Sequence, residues 1–187
     1  MSALPEFCSA DLAALEPSIP GLTADIRSDH AGETGAVMIY RGVLAGTRDP
    51  ALRRFAGAHL ATESAHLELI ESLLPREQWS MLLPLWRVAG WITGYLPALW
   101  GARAVYATIE AVETFVVHHY EQQINRMSEL GVSAGLRTAL SACQADEARH
   151  RDDAHALQTK RPGAVLRAWL WLVDFGSRAA VSAARRL

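Results

Sequence analysis

Four glutamates stand where a helix keeps its apolar residues, and that placement constrains this chain more than any other feature. Glu33, Glu63, Glu113 and Glu147 each lie inside a stripe of hydrophobic residues recurring every three or four positions, the mark of a helix face turned inward. A carboxylate enters such a face only when a cation or a hydrogen-bond donor meets it there. Two of the four open Glu-x-x-His units, Glu63-Ser64-Ala65-His66 and Glu147-Ala148-Arg149-His150. Residues three apart share one side of a helix, so each unit offers a carboxylate and an imidazole in the same direction. The intervals repeat: Glu33 and Glu113 are 80 residues apart, while Glu63 and Glu147, like His66 and His150, are 84 apart. The chain therefore reads as two similar halves, each a helical hairpin with three donors.

The periodicity also lays out the helices. The first spans about Thr23 to Ala45, with Ile26, His30, Glu33, Val37, Tyr40 and Leu44 as its stripe. Asp49-Pro50 supplies an N-cap and a proline at the first helical position. The second helix carries Leu52, Phe55, His59, Glu63, His66, Ile70 and Leu73 and stops before Pro75. A third runs from about Ala102 to Met127 through Val105, Ile109, Glu113, Val116, Tyr120 and Ile124. After Gly131, Ser133 caps a fourth that continues to about Thr159, and Pro162-Gly163 precedes a final helix over about 163–185. No strand pattern competes. Short links make each pair antiparallel, and an apolar segment over about 75–101 crosses between the pairs. Two hairpins joined by one long crossover form a ferritin-like bundle. The expected fold is all-α: an N-terminal arm over 1–21, then one domain over 22–187 with a long apolar crossover and an extra C-terminal helix. The 187 residues suffice for such a core.

Four glutamates and two histidines are the donor set of two-metal carboxylate bundles. Two divalent ions neutralise four carboxylates, and mixed oxygen and imidazole donors suit iron or manganese rather than a structural zinc site. The expected ligands are Glu33, Glu63, His66, Glu113, Glu147 and His150. Glu110, one turn before Glu113, competes for its place or stands behind it. A metal-bound histidine usually donates its other N–H to a carboxylate. Asp146 is placed to accept from His66 across the bundle, with Arg149 balancing its charge, whereas Thr62 occupies the corresponding position in the other half. His119 and Tyr120, just beyond Glu113, are candidates for a supporting or electron-transfer role. His30, His59 and His155 read as packed or solvent-facing.

Charge and aromatic residues divide along the chain. Residues 1–159 carry 12 basic and 19 acidic side chains, whereas 160–187 carry Lys160, Arg161, Arg167, Arg178, Arg185 and Arg186 against Asp174. That basic tail is either a lipid-facing surface or a solvated helix end. All six tryptophans avoid the ligand helices: Trp79, Trp86, Trp91 and Trp100 lie in the crossover, Trp169 and Trp171 in the final helix. Indoles favour apolar–polar boundaries. The crossover, interrupted by Pro84, Gly90, Gly94 and Pro97, is thus either a monotopic surface in one leaflet or a packed cap. Its longest charge-free stretch, Val88 to Ala102, has 15 residues, short of the roughly 20 needed to span a bilayer. No signal peptide is expected from the N-terminus. Cys8 and Cys143 provide neither a disulfide framework nor a metal pair, which suits a reducing compartment.

The chain resembles the demethoxyubiquinone hydroxylase family, membrane-associated di-iron monooxygenases of ubiquinone biosynthesis, over roughly residues 22–187. The likeness rests on Ile26-Arg27-Ser28-Asp29-His30-Ala31-Gly32-Glu33-Thr34-Gly35-Ala36, both Glu-x-x-His units, Leu83-Pro84-Leu85-Trp86, Val112-Glu113, His118-His119-Tyr120 with Gln123-Ile124, and Asp146. The resemblance implies that Glu63 and Glu147 bridge two iron ions, with Glu33 and Glu113 terminal and His66 and His150 one per iron. It further implies hydroxylation of a polyprenyl demethoxyubiquinol with dioxygen and a reduced nicotinamide donor. The protein would sit on the cytoplasmic face of a bacterial inner membrane, or on a mitochondrial inner membrane. Its partners would be other ubiquinone-biosynthesis proteins or copies of itself, not nucleic acid. Thr34, Arg41 and Val43 depart from the family's usual residues. Two rivals share parts of the pattern: a ferritin-like iron-oxidising or peroxide-scavenging protein, and a metal-free helical interaction protein.

Overall fold

The computed structural model describes residues 9–131, 134–159 and 161–187, and among these every regular element is helical. The α-helices are α1 Ser9–Leu15, α2 Leu22–Gly46, α3 Pro50–Leu73, α4 Leu83–Trp100, α5 Ala102–Glu129, α6 Ala134–Ala156 and α7 Ala164–Ala184. Asp49 caps α3, its carboxylate accepting from the amides of Ala51 at 2.8 Å and Leu52 at 3.4 Å. Cys8, Ser133 with its expected cap, and Lys160 lie outside the described residues. Helix α2 packs on α3 and α5 on α6, giving the two hairpins, while α7 lies against α2 and α5. From the N-terminal segment, Leu12 and Ile19 are buried among Leu22, Ile26 and Leu73.

The four helices that carry the predicted ligands enclose two apolar cores. Ile26, Ile70, Tyr120, Leu136 and Cys143 belong to one, and Val43, Leu52, Ile109, Val112 and Ala154 to the other. On every one of these helices the predicted ligands fall between the residues of one core and those of the other. The polar layer is therefore sealed from both ends.

The crossover is not interrupted as its sequence suggests. Helix α4 runs unbroken through Pro84, Gly90, Gly94 and Pro97; Pro84 sits in the first turn, where a missing N–H costs nothing. The glycines have a packing purpose instead. A Cβ on Gly94 would lie 1.9 Å from the Ile39 carbonyl oxygen, one on Gly90 2.4 Å from that of Gly35, and one on Gly42 2.2 Å from that of Trp91. Helices α2 and α4 thus meet backbone to backbone, a contact only glycine permits. The opposite side of α4 and the outer side of α7 stay apolar and open: Val88, Leu99, Trp100, Trp171 and Phe175 are all more than half exposed. No helix of the described residues is long and apolar enough to cross a membrane.

Candidate metal centre

Helix α2 supplies Glu33, α3 Glu63 and His66, α5 Glu113, and α6 Glu147 and His150; none is more than 5% exposed. Their donor atoms form two overlapping groups, Glu33–Glu63–His66–Glu147 and Glu63–Glu113–Glu147–His150, each with all ligand atoms within 4.8 Å of one another. Glu63 and Glu147 belong to both. His66 Nδ1 lies 2.8 Å from Glu147, and His150 Nδ1 lies 2.8 Å from Glu63, yet neither contact is aligned as a hydrogen bond. Eight buried atoms of these six side chains have no hydrogen-bond partner: Glu33 Oε2, Glu113 Oε2, both oxygens of Glu63 and of Glu147, and the Nδ1 atoms of His66 and His150. Leaving charged groups unsatisfied in an apolar interior costs several kcal/mol each by order of magnitude, about 1–3 kcal/mol even for neutral ones. Convergent carboxylates and imidazoles of this kind fit a pair of divalent cations.

Electrostatics describe the same need. Burial, then repulsion from Glu147, pushes Glu63 and Glu113 well above the ordinary carboxylate range and Glu33 up to about 7. Burial also acts upward on Glu147, but the imidazoles of His150 and His66 beside it bring it down to about 2. Burial lowers His66, and the adjacent carboxylates of Glu147, Glu33 and Asp146 outweigh that, raising it to about 9. Without cations, protons must occupy the layer.

The surrounding residues sort themselves clearly. Asp146 lies 3.1 Å from His66 Nε2 and is paired on its other oxygen with Arg149, as the sequence suggests. Behind His150 stands an imidazole, His59, stacked at 4.1 Å between ring centroids. His59 is packed, but packed directly on a candidate ligand. Tyr120 donates to Glu33 Oε1. His119 does not reach the six; its Nε2 lies 2.9 Å from Asp29, which also accepts from Gln123 at 2.7 Å. Glu110 is turned away, bound to His155 at 2.7 Å and to Gln158, so of the two only Glu113 joins the other five residues. Sequence reasoning overlooked Tyr40, which donates to Glu113 Oε1 at 3.0 Å. The signal was present, because Tyr40 and Tyr120 repeat the 80-residue interval of Glu33 and Glu113.

A cavity of about 510 Å³ opens between α2, α4, α5 and α7, lined by residues such as Gly35, Trp86, Gly90, Phe115 and Leu172. Gly32, Ala36, Phe115, Val116 and Val181 also line a void of about 30 Å³ touching Glu33, Glu63, Glu113 and Glu147. The apolar cavity therefore adjoins the polar layer. Trp86 lines it, and the buried indole N–H of Trp86 has no partner.

Fold and donors together define a ferritin-like bundle with a paired carboxylate–histidine centre. The chain belongs to the family described as Ubiquinone biosynthesis protein COQ7, whose model matches residues 21–184. It is 36% identical to the NADPH-dependent 3-demethoxyubiquinone 3-hydroxylase, mitochondrial, of Dictyostelium discoideum, over 67% of this chain and 59% of that protein. It is also 36% identical to the 3-demethoxyubiquinol 3-hydroxylase of Rhodospirillum rubrum, over 70% of this chain and 62% of the other. A Caenorhabditis elegans protein named like the first is 26% identical over 87% of this chain and 88% of its own length. The chain thus spans about three fifths of the first two relatives, 59% and 62%.

Proposed function

We propose that this protein is a di-iron monooxygenase that hydroxylates the ring of a polyprenyl demethoxyubiquinol, taking electrons from a reduced nicotinamide. The observation that carries the reading is the set of eight unpartnered donor atoms in two overlapping groups beside an apolar cavity. The names of the relatives supply the substrate class and the reductant. In this reading Glu33, Glu63, His66 and Glu147 hold one iron, and Glu63, Glu113, Glu147 and His150 the other. Bound iron would supply dioxygen activation and electron storage.

The chain's residues provide the rest. Asp146 fixes the ring of His66 through Nε2 and leaves Nδ1 facing the centre. Phe115 and Val116 line both the cavity and the void beside the carboxylates, and would keep water from the reacting ring. The cavity of about 510 Å³ lies within the roughly 300–1,000 Å³ usual for small-molecule sites. The unpartnered Trp86 N–H would find an acceptor in a quinol oxygen. The long prenyl tail stays in lipid, since each methylene transferred from water gains about 0.8 kcal/mol. The exposed side chains of α4 and α7 would therefore rest on a membrane, at the cytoplasmic face of a bacterial inner membrane or at a mitochondrial one.

An isotope experiment tests the reaction. Purified iron-loaded protein, a short-tailed demethoxyubiquinol, a reduced nicotinamide with a mediator and ¹⁸O₂ should give a hydroxylated ring carrying one labelled oxygen. Product without label, or nicotinamide oxidation without any hydroxylated product, would refute it.

A further inference from the structure

The four carboxylates of the centre differ in how many oxygens they leave free. Both oxygens of Glu63 and both of Glu147 are buried without a hydrogen-bond partner. Glu33 and Glu113 each leave only Oε2 unpartnered, because Oε1 is already taken. Tyr120 of α5 donates to Glu33 of α2, and Tyr40 of α2 donates to Glu113 of α5 at 3.0 Å. The arrangement is crosswise. Each tyrosine lies seven residues after the glutamate of its own helix, Glu33 to Tyr40 and Glu113 to Tyr120, and caps the glutamate of the opposite helix. Both tyrosines are fully enclosed, at 0% and 1% exposure, so neither hydroxyl can turn to solvent instead. Tyr40 is wedged further by His59, whose Nδ1 lies 3.3 Å from its hydroxyl.

We propose that Tyr40 and Tyr120 are positioning residues that restrict Glu113 and Glu33 to one-oxygen ligation and thereby keep a coordination position open at each metal. The inference rests on the two-metal reading above. Each ion then receives four protein donors, one from every residue of its group. Open positions beyond the protein ligands are what a non-haem iron centre needs to meet dioxygen. A terminal carboxylate free to bind through both oxygens would fill that place. The shared glutamates have no such cap and can reach both ions. The difference between shared and terminal carboxylates is therefore set by two hydroxyl groups outside the ligand set.

Cobalt(II) reports this directly, because its visible bands weaken as coordination number rises. Wild type, Tyr40→Phe and Tyr120→Phe would each be titrated with Co²⁺, following both absorption and bound metal. Two ions per chain are expected throughout, with the bands of about half the cobalt weakened in either single variant and of nearly all in the double one. Two ions with unchanged spectra in both single variants would overturn the proposal while leaving the metal centre standing. Failure of wild type to bind cobalt would instead remove the two-metal reading. Should a phenylalanine variant not fold, the infrared difference between metal-loaded and metal-free wild type decides: the widely split carboxylate stretches of one-oxygen ligation are expected, and their absence refutes the proposal.

Discussion

Replacing Gly94 by alanine introduces a methyl group where α4 touches α2. The new Cβ would stand 1.9 Å from the Ile39 carbonyl oxygen and 3.0 Å from the Val43 nitrogen. The obstacle is backbone, so no side chain can swing aside and the two helices must part. Overpacking of a tight interface costs about 1–3 kcal/mol, and this contact belongs at the upper end. Alanine returns up to about 1 kcal/mol through better helix propensity. The expected net loss is about 2 kcal/mol, or a fall of roughly 4–8 °C in Tm for a domain of this size. Gly57 provides the control: it is exposed on α3 and a Cβ there meets nothing within 4 Å. Gly57→Ala should raise stability by about 0.5–1 kcal/mol. Calorimetry and denaturant unfolding of both variants read the difference. If Gly94→Ala is as stable as wild type, the backbone contact between α2 and α4 is not what seats the crossover.

Asp146→Asn should keep the fold yet weaken metal affinity by about 10–100-fold; unchanged affinity in a chelator competition would remove Asp146 from the centre. The metal-free protein should lose stability as pH rises. Glu33 keeps its proton to about 7, against 4.5 when unfolded, and His66 to about 9, against 6.5, so the folded state holds more protons across that window. Glu147, held down to about 2 against 4.5 when unfolded, adds pH dependence only below about 4.5, where its stabilisation is lost as pH falls. Buried His59, lowered to about 4 against 6.5, acts the other way only below about 6.5, so the guanidinium midpoint in chelator should fall between about pH 6.5 and pH 9, and a rising midpoint there would contradict this. Trp100, Trp171 and Phe175 are each more than half exposed. Replacing all three by serine should sharply reduce co-sedimentation with anionic vesicles; undiminished binding by the folded variant would end the membrane assignment.

The convergence of the six carboxylate and imidazole side chains was legible because helical spacing and an internal repeat act locally, and both survive in a bare sequence. Helix limits followed from the same kind of signal, with Asp49 and Pro50 opening α3 as expected. What escaped depends on tertiary approach. Gly90 and Gly94 look like interruptions until α2 lies against them. Tyr40 looks like one more stripe residue until Glu113 arrives from another helix. The separation of Glu110 from Glu113 required knowing that His155 and Gln158 would claim Glu110. The cavity lies among four helices distant in sequence, so no local pattern encodes it.

The central claim is that six residues hold two irons, with Glu63 and Glu147 shared. Iron content of the purified protein, measured by mass spectrometry beside protein concentration from amino-acid analysis, tests it most directly. Two irons per chain are predicted for wild type. Since both shared residues appear in both donor groups, Glu63→Ala/Glu147→Ala should lose nearly all bound iron, whereas Glu110→Ala should keep two. Full iron loading in the folded double variant would contradict the account.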